Sequence, residues 1–319
     1  GEFAQGDFYV PLATTEGTLV ASYNRGMRVL AESGGVTATV VKRSMQRAPV
    51  FMFETARQAR DFGEWVTQNH DLIRAAAEST TRSGRLIEIE QYALANMLHL
   101  RFNYTTGDAA GQNMTGKATW AACEWIRETH PVHPKYMLSV FFYNDTTPSE
   151  IYTLRTRGRR VVAEAVIRRD VLQRLMRVDT ATLFRARQVS NAGALLAGSA
   201  YNGPHAANGI AAMFIACGQD VANVAESHAG ITYAQLLDNG DYYWSITLPS
   251  LIVASYGGGT GLPTQRECLE MIGCYGTGKA DKFAEIVAAV VLAGDISLGS
   301  AVLAGDWVTS HDKLGRNRP

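Results

Sequence analysis

Residues 49–142 carry the pattern that most restricts the fold. Ala48-Pro49-Val50-Phe51-Met52-Phe53 reads as a short apolar strand. Glu54 to Glu78 follows as one or two helices, with Ala59, Phe62, Trp65 and Val66 on one face. From Arg85 to Asn103, Ile87 and Ile89 and then Leu98, Leu100 and Phe102 alternate with polar neighbours, as strands do. Gly116 to His130 is helical, and Met137 to Phe142 reads as another strand. Strand, helix, strands, helix, strand in so short a span predicts a compact α+β module.

The flanking sequence reads as a second body. A helix is predicted from about residue 14 to 32, after the Thr14-Thr15-Glu16-Gly17 turn. A strand is predicted over Arg160 to Val166, helices from Arg169 onward, strands over Asp241 to Ala254, and a final helical pair over Glu267 to Leu303. Asn191 to Cys217 is rich in Ala and Gly, which permits close helix packing. The longest apolar stretch begins at Phe283 and is interrupted by Asp295 and by glycines, which suits a buried helix better than a membrane span. Gly1 to Tyr9 reads as a strand–turn continuing from an upstream segment, so an N-terminal segment is expected to precede it.

A chain of 319 residues can bury a sizeable core. With 46% hydrophobic residues and zero formal net charge, a disordered or nucleic-acid-coating protein is disfavoured. Cys123, Cys217, Cys268 and Cys274 form no CxxC pair and have no histidine nearby at zinc spacing, so no metal site is predicted. Free thiols in a reducing cytoplasm are expected, and the opening segment lacks the charged start and apolar core of an export signal. Neither a nucleic-acid nor a membrane partner is expected.

Several short motifs bear on chemistry. Leu12 to Ser22 presents one carboxylate, Glu16, among hydroxyl residues beside Gly17, where a helix begins. Asp108-Ala109-Ala110-Gly111-Gln112-Asn113-Met114 follows a strand and opens a helix; a helix N-terminus offers free N–H groups to a phosphate. Ser255-Tyr256-Gly257-Gly258-Gly259-Thr260 is a second glycine loop with room for a ligand, though such loops are often only flexible turns. Thr81-Arg82 sets a hydroxyl beside a guanidinium, a pair able to bind phosphate. His205-Ala206-Ala207-Asn208 precedes Ala216-Cys217-Gly218-Gln219-Asp220. On one helix His205 and Asp220 would stand about 18 Å apart, so they contact different parts of any shared ligand. Singly, His205 is more often a core histidine and Asp220 a cap. His311, near the C-terminus, is either solvated or part of a flap.

Taken in order, these motifs resemble those of the class I 3-hydroxy-3-methylglutaryl-CoA (HMG-CoA) reductases, from about Tyr9 to Arg316. The resemblance implies an α+β fold: a large substrate and dimerisation domain, residues 1–48 and 143–319, and an inserted small ferredoxin-like cofactor domain, residues 49–142. It implies a homodimer or higher homo-oligomer with active sites between subunits. Glu16 resembles the catalytic acid, Asp220 the aspartate that tunes it, and His311 the acid that protonates the departing CoA thiolate. Arg47, Ser139, His205 and Asn208 match substrate-contacting positions. Asp108, Gly111, Asn113, Met114 and the Gly257–Thr260 loop match dinucleotide contacts, and Arg28 and Arg316 match cofactor-binding arginines less closely. Thr81 and Arg82 match the pair that reads a 2′-phosphate, which implies NADPH rather than NADH.

One part of the pattern is broken. Where the family carries Asp-Lys-Lys-Pro, this chain reads Asn144-Asp145-Thr146-Thr147-Pro148. Arg157-Gly158-Arg159 and the strand after it fix the register. A second family lysine falls near Val189. The lysine of this loop supports the oxyanion formed when hydride reaches the thioester carbonyl, and losing one such donor typically costs about 10²–10³ in rate. Asp145, Thr146 and Thr147 then face the substrate without a cation, unless Arg187, Arg155 or Lys135 replaces it. The resemblance therefore implies an NADPH-dependent oxidoreductase acting on an acyl-CoA thioester or related carbonyl, with altered activity and HMG-CoA a poorer fit. Two alternatives are a non-reductive acid–base enzyme (cyclase, lyase or isomerase) of specialised metabolism, using Glu16, Asp220 and His311, and a non-catalytic binder of CoA-like ligands.

Overall fold

The computed structural model describes residues 1–138 and 151–306. Eleven helices and eight strands follow in the order α1 (Gly17–Glu32), β1 (Thr37–Arg47), β2 (Val50–Met52), α2 (Ala56–Gln68), α3 (His70–Glu78), β3 (Arg85–Leu94), β4 (Met97–Thr105), α4 (Gln112–Thr129) and β5 (Lys135–Met137) among the described residues. Then come α5 (Ile151–Leu154), β6 (Gly158–Ile167), α6 (Arg169–Met176), α7 (Thr180–Leu196), α8 (Ala206–Ala216), α9 (Val224–Ser227), β7 (Ile231–Leu236), β8 (Tyr242–Leu251), α10 (Pro263–Met271) and α11 (Ala280–Leu303).

The strands pair antiparallel in the order β5-β2-β4-β1-β6-β8-β7, with β3 also on β4. β1 belongs to both halves. Its first part, Thr37–Ser44, pairs with β6, and Met45–Arg47 pairs with β4. Pro49 has no N–H to give the ladder, so β1 and β2 are separate strands. Its carbonyl still accepts from Leu100 N–H at 2.9 Å, which keeps both strands against β4.

Two apolar clusters lie on either side of this join. One gathers Phe51, Phe62, Val66, Ile73, Leu100, Phe102, Ala118, Ala122 and Ile126. The module pattern forms it: α2, α3 and α4 each turn an apolar face to strands whose alternate residues point inward. Thr55 starts α2 with a capping box, its hydroxyl accepting from Gln58 N–H while the Gln58 side chain accepts from Thr55 N–H.

The other cluster is built around α11. Phe283, Ile286, Val287, Val290, Val291, Leu292 and Ile296 are at most 4% exposed. Burying each contributes about 1.5–3 kcal/mol. The helix is long and apolar enough to cross a membrane, and it packs instead against α1, α8, β1, β6 and β8. Small residues allow the close approach. A Cβ on Gly26 would lie 1.9 Å from Ala293 O. Gly209 and Gly294 both make room for the Tyr23 ring, where a Cβ would stand 2.5 and 2.3 Å away.

Gly1 to Tyr9 is not the expected strand–turn. It joins no ladder; the N–H groups of Glu2, Phe3 and Ala4 donate to the Glu285 carboxylate at 2.6–3.1 Å. An α11 side chain thus supplies the acceptors that a neighbouring strand would have supplied. All four cysteines are free thiols.

Candidate active site

Glu16 is the N-cap residue of α1, in extended backbone, with its N–H held by Thr14 Oγ1 at 3.0 Å. Its side chain caps nothing and turns to a cavity of about 450 Å³. Thr18, Ser22 and Arg25 from α1, His205 and Asn208 from the start of α8, and Leu298 and Ala301 from α11 help to line it. Among the described residues, Glu16 Oε1 is buried with no hydrogen-bond partner. An unmatched carboxylate oxygen in a cavity of ligand size is an arrangement for binding or proton transfer, since burial without a partner is otherwise costly.

The rest of the pocket is fixed by long-range contacts. Ala13 N–H donates to Ala212 O at 3.0 Å and ties the acidic turn to α8. Tyr23 lies tilted against the His205 ring, centroids 4.8 Å apart, and donates its hydroxyl to His205 O at 2.6 Å. His205 N–H donates to Asp295 Oδ1 at 2.9 Å. His205 Nδ1 faces Asn208 Nδ2 at 2.9 Å, while Nε2 is buried with no partner among the described residues. Burial alone pushes the imidazole down to about 4, so the ring is neutral at pH 7. Asp295, 2% exposed on α11, is pushed up to about 7 by burial, against the pull of the His205 N–H and the Arg187 charge. Arg25 is the cavity's cation, committed to Ser297 (Nη2 to O, 2.9 Å) and facing Asp306 at 3.6 Å.

A second cluster joins the two glycine loops. Asp108 O accepts from Ser255 N–H at 3.0 Å, and its carboxylate accepts from the N–H groups of Gly278, Lys279 and Ala280 at the start of α11. Gly111, with φ +85°, is the N-cap of α4. Gly218 and Gly259 approach so closely that a Cβ on Gly218 would lie 2.3 Å from Gly259 O. Gln219 bridges Ala254 through both its backbone groups at 2.7–2.9 Å. Gln112 Nε2 reaches Asn223 Oδ1 at 2.8 Å, and Arg47 Nη2 donates to Gln112 O at 3.0 Å. Arg159 adds hydrogen bonds to Gly107 O and Val253 O and an ion pair with Asp281. Across the module, Thr81 Oγ1 lies 3.1 Å from Met114 Sδ, with exposed Arg82 next to it in sequence. Gly257 and Gly258 have φ of +87° and +58° with open space beside them, an accessible backbone suited to a phosphate.

The predicted residues therefore fall into groups. Glu16, His205 and Asn208 share one cavity. Asp108 and the Gly257–Thr260 loop belong to the joined loops, Gly111, Asn113 and Met114 stand at the start of α4 with Arg47 bonded to Gln112 there, and Thr81 meets Met114 beside Arg82. Asp220 is exposed, does not line the Glu16 cavity, and accepts from Ala222 N–H at 3.0 Å. Arg28 stands apart on α1, paired with Glu32 at 2.8 Å. Ser139, Asp145, Thr146, Thr147, His311 and Arg316 lie outside the described residues. Of the cations considered as substitutes for lysine, Arg187 is committed to Asn202 O at 2.8 Å and to the Trp244 ring, and Arg155 pairs with Glu90 at 3.3 Å. Lys135 is exposed on the edge strand β5, and Val189 is 67% exposed on α7.

Sequence reasoning missed Arg25, Tyr23 and Asp295. For Arg25 a partial signal existed: it stands one turn past Ser22 on the predicted helix.

The sequence profile of the hydroxymethylglutaryl-coenzyme A reductase family matches residues 1–316. The chain is 42% identical over 323 aligned positions to the 3-hydroxy-3-methylglutaryl-coenzyme A reductase of Pyrococcus horikoshii, covering 99% of this chain and 78% of that one. This chain belongs to the HMG-CoA reductase family. It is 40% identical to the reductase of the same name from Methanocaldococcus jannaschii, covering 99% of this chain and 79% of the relative. Its fold is similar to the class II HMG-CoA reductase of Streptococcus pneumoniae, solved bound to NADPH (TM-score 0.76, 20% identity, 93% of this chain and 81% of that one). The protein is thus an HMG-CoA reductase-like oxidoreductase of mixed α/β fold.

Proposed function

We propose that this chain reduces an acyl-CoA thioester or related carbonyl at the expense of NADPH, as a homodimer or higher homo-oligomer, with Glu16 as its catalytic acid. The observation that carries the proposal is that Glu16 lines a ligand-sized cavity with His205 and Asn208, its Oε1 buried without a partner among the described residues. The curated relatives are named for HMG-CoA, which makes it the first substrate to test.

In this reading residues 49–142 are the dinucleotide-binding domain, and residues 1–48 and 143–319 form the substrate and dimerisation domain. The strand order β5-β2-β4-β3 with helices in the connections supports the ferredoxin-like description of the small domain. The open glycine backbone at Gly257 and Gly258 and the N-terminus of α4 fit a dinucleotide phosphate. Asn113 and the Gly257–Thr260 loop would hold the cofactor, and Asp108 would fix that loop to α11. Thr81 and Arg82 would meet a 2′-phosphate, the basis for NADPH over NADH. The bound nicotinamide supplies hydride. Glu16 then holds a proton beside the reacting oxygen, while the apolar wall from Leu298 and Ala301 limits water.

Asp145-Thr146-Thr147 in place of a lysine-bearing loop supports a reduced rate with HMG-CoA, because Arg187 and Arg155 are committed elsewhere. The test is a panel of acyl-CoA thioesters, aldehydes and ketones, with NADPH and NADH in parallel. Oxidation of NADPH by at least one thioester or aldehyde, and loss of the NADPH preference in Arg82→Ala, are expected. Turnover of a substrate with no nicotinamide present would replace this reading with redox-neutral acid–base chemistry.

A further inference from the structure

We propose that Arg159 is a positioning residue for the dinucleotide: it holds the loop between β4 and α4 and the glycine loop after β8 at the spacing the cofactor needs. The inference rests on the nicotinamide reading above and adds to it the group that sets the geometry of that site.

Arg159 lies at the start of β6 and is 5% exposed. Its side-chain nitrogens go to three separate segments. Nη2 donates to Gly107 O at 2.8 Å, immediately before Asp108. Nη1 donates to Val253 O at 3.1 Å, just ahead of the Ser255–Thr260 loop. Nε pairs with Asp281 Oδ1 at 2.7 Å, in the first turn of α11. A planar guanidinium fixes these directions together, which an ammonium on a flexible stem cannot do.

The joined segments are the ones that carry the candidate phosphate-binding backbone. Gly107 leads into the N-terminus of α4, and Val253 leads into Gly257 and Gly258, whose positive-φ backbone stands open. Two loops far apart in sequence present N–H groups to one ligand only when something holds them in register. Asp108 does part of this, through Ser255 N–H and the N–H groups at the start of α11. Arg159 closes the same joint from the β6 side with charge-assisted hydrogen bonds in a buried place. Asp281 is itself held, since its Oδ2 takes Arg43 Nε of β1 at 2.9 Å. Loops already fixed in the bound arrangement lose little affinity to ordering. Arg159 does not line the Glu16 cavity, so its removal acts on cofactor binding and not on hydride transfer once the cofactor is bound.

The experiment compares the native chain with Arg159→Met, Arg159→Lys and Arg43→Met. Nicotinamide fluorescence, without substrate, reads the Kd for NADPH. Single-turnover mixing with HMG-CoA at saturating NADPH reads hydride transfer, and urea unfolding reads stability. Arg159→Met should raise the Kd by about 10-fold or more and leave the saturated rate within about 3-fold. Arg159→Lys keeps the charge beside Asp281 but cannot reach both carbonyls, so its Kd should rise by about 3-fold or more and stay below that of Arg159→Met. Arg43→Met removes an ion pair from the same carboxylate with both loop hydrogen bonds in place, and should keep the native Kd. A joint that only stabilises the fold would lower the urea midpoint in Arg159→Met and Arg43→Met with both Kd values native. That result, or equal weakening of NADPH binding in Arg43→Met, overturns the proposal. If Arg159→Met does not fold, a native Kd in folded Arg159→Lys overturns it equally. Binding that depends on Arg159 without oxidation of NADPH by HMG-CoA would uphold the proposal and refute the reductase reading for that thioester. No NADPH binding by the native chain would refute both.

Discussion

Asp295→Asn isolates the most strongly displaced carboxyl beside the Glu16 cavity. The Asp295 carboxyl is 2% exposed; Oδ1 accepts from His205 N–H at 2.9 Å and Oδ2 has no partner among the described residues. Burial raises it from the ordinary 3.8 to about 7. The folded chain therefore holds this proton more tightly than the unfolded chain does. Its contribution is greatest below about pH 4 and is lost as pH rises to about 7, the sense expected for an acid raised by folding. At about 1.4 kcal/mol per unit, the whole window is worth about 4 kcal/mol, of which about 2.5 falls between pH 5 and 8. Asparagine keeps an oxygen for the His205 N–H and cannot ionise. Urea unfolding of both proteins at pH 5 and pH 8 gives the double difference directly. The native chain should lose about 2.5 kcal/mol more than the variant over that interval. Parallel losses would mean that Asp295 does not titrate there, and that a partner neutralises it in the folded chain.

Other outcomes follow from single contacts. Gly218→Ala places a Cβ 2.3 Å from Gly259 O at φ +66°, so it should cost about 2 kcal/mol or more in a thermal melt and weaken NADPH binding in a fluorescence titration. Glu226→Gln breaks the fully buried pair with Arg157, whose Nη1 lies 2.8 Å from Oε2, and should destabilise by about 3–5 kcal/mol in urea. Arg82→Ala should raise the KM for NADPH and leave that for NADH unchanged, measured as initial rates with each cofactor.

Most of the small module was legible because its elements show one period; its last strand, expected over Met137–Phe142, is instead β5 at Lys135–Met137, and 139–142 lie outside the described residues. Alternation marks β3 and β4, and the Ala59, Phe62 and Val66 spacing marks α2. β1 was missed because its burial pattern is broken: Lys42 and Arg43 are exposed, and the register shifts between Val40 and Lys42. β7 was missed because it is an edge strand with one buried residue, Thr232. Helix α11 was legible as buried, since Asp295 and the glycines interrupt its apolar run. In the site, Glu16 was legible through the resemblance of the Thr14-Thr15-Glu16-Gly17 turn, since an acid at a helix start is by itself more often a partner of the helix dipole. The support of His205 was not. Tyr23, Asp295 and Gly209 meet it only once α1, α8 and α11 pack together, and no local spacing records that meeting. The motif order placed Thr81 in the cofactor region by resemblance, and its contact with Met114 ties the two motifs physically.

The most direct test of the account is a single-turnover measurement of NADPH oxidation by the purified chain with HMG-CoA, beside Glu16→Gln. The account predicts oxidation that requires the thioester and falls by about 10² or more in Glu16→Gln, with NADPH affinity unchanged. Equal oxidation in both proteins, or none in the native chain with any thioester or aldehyde, would contradict it.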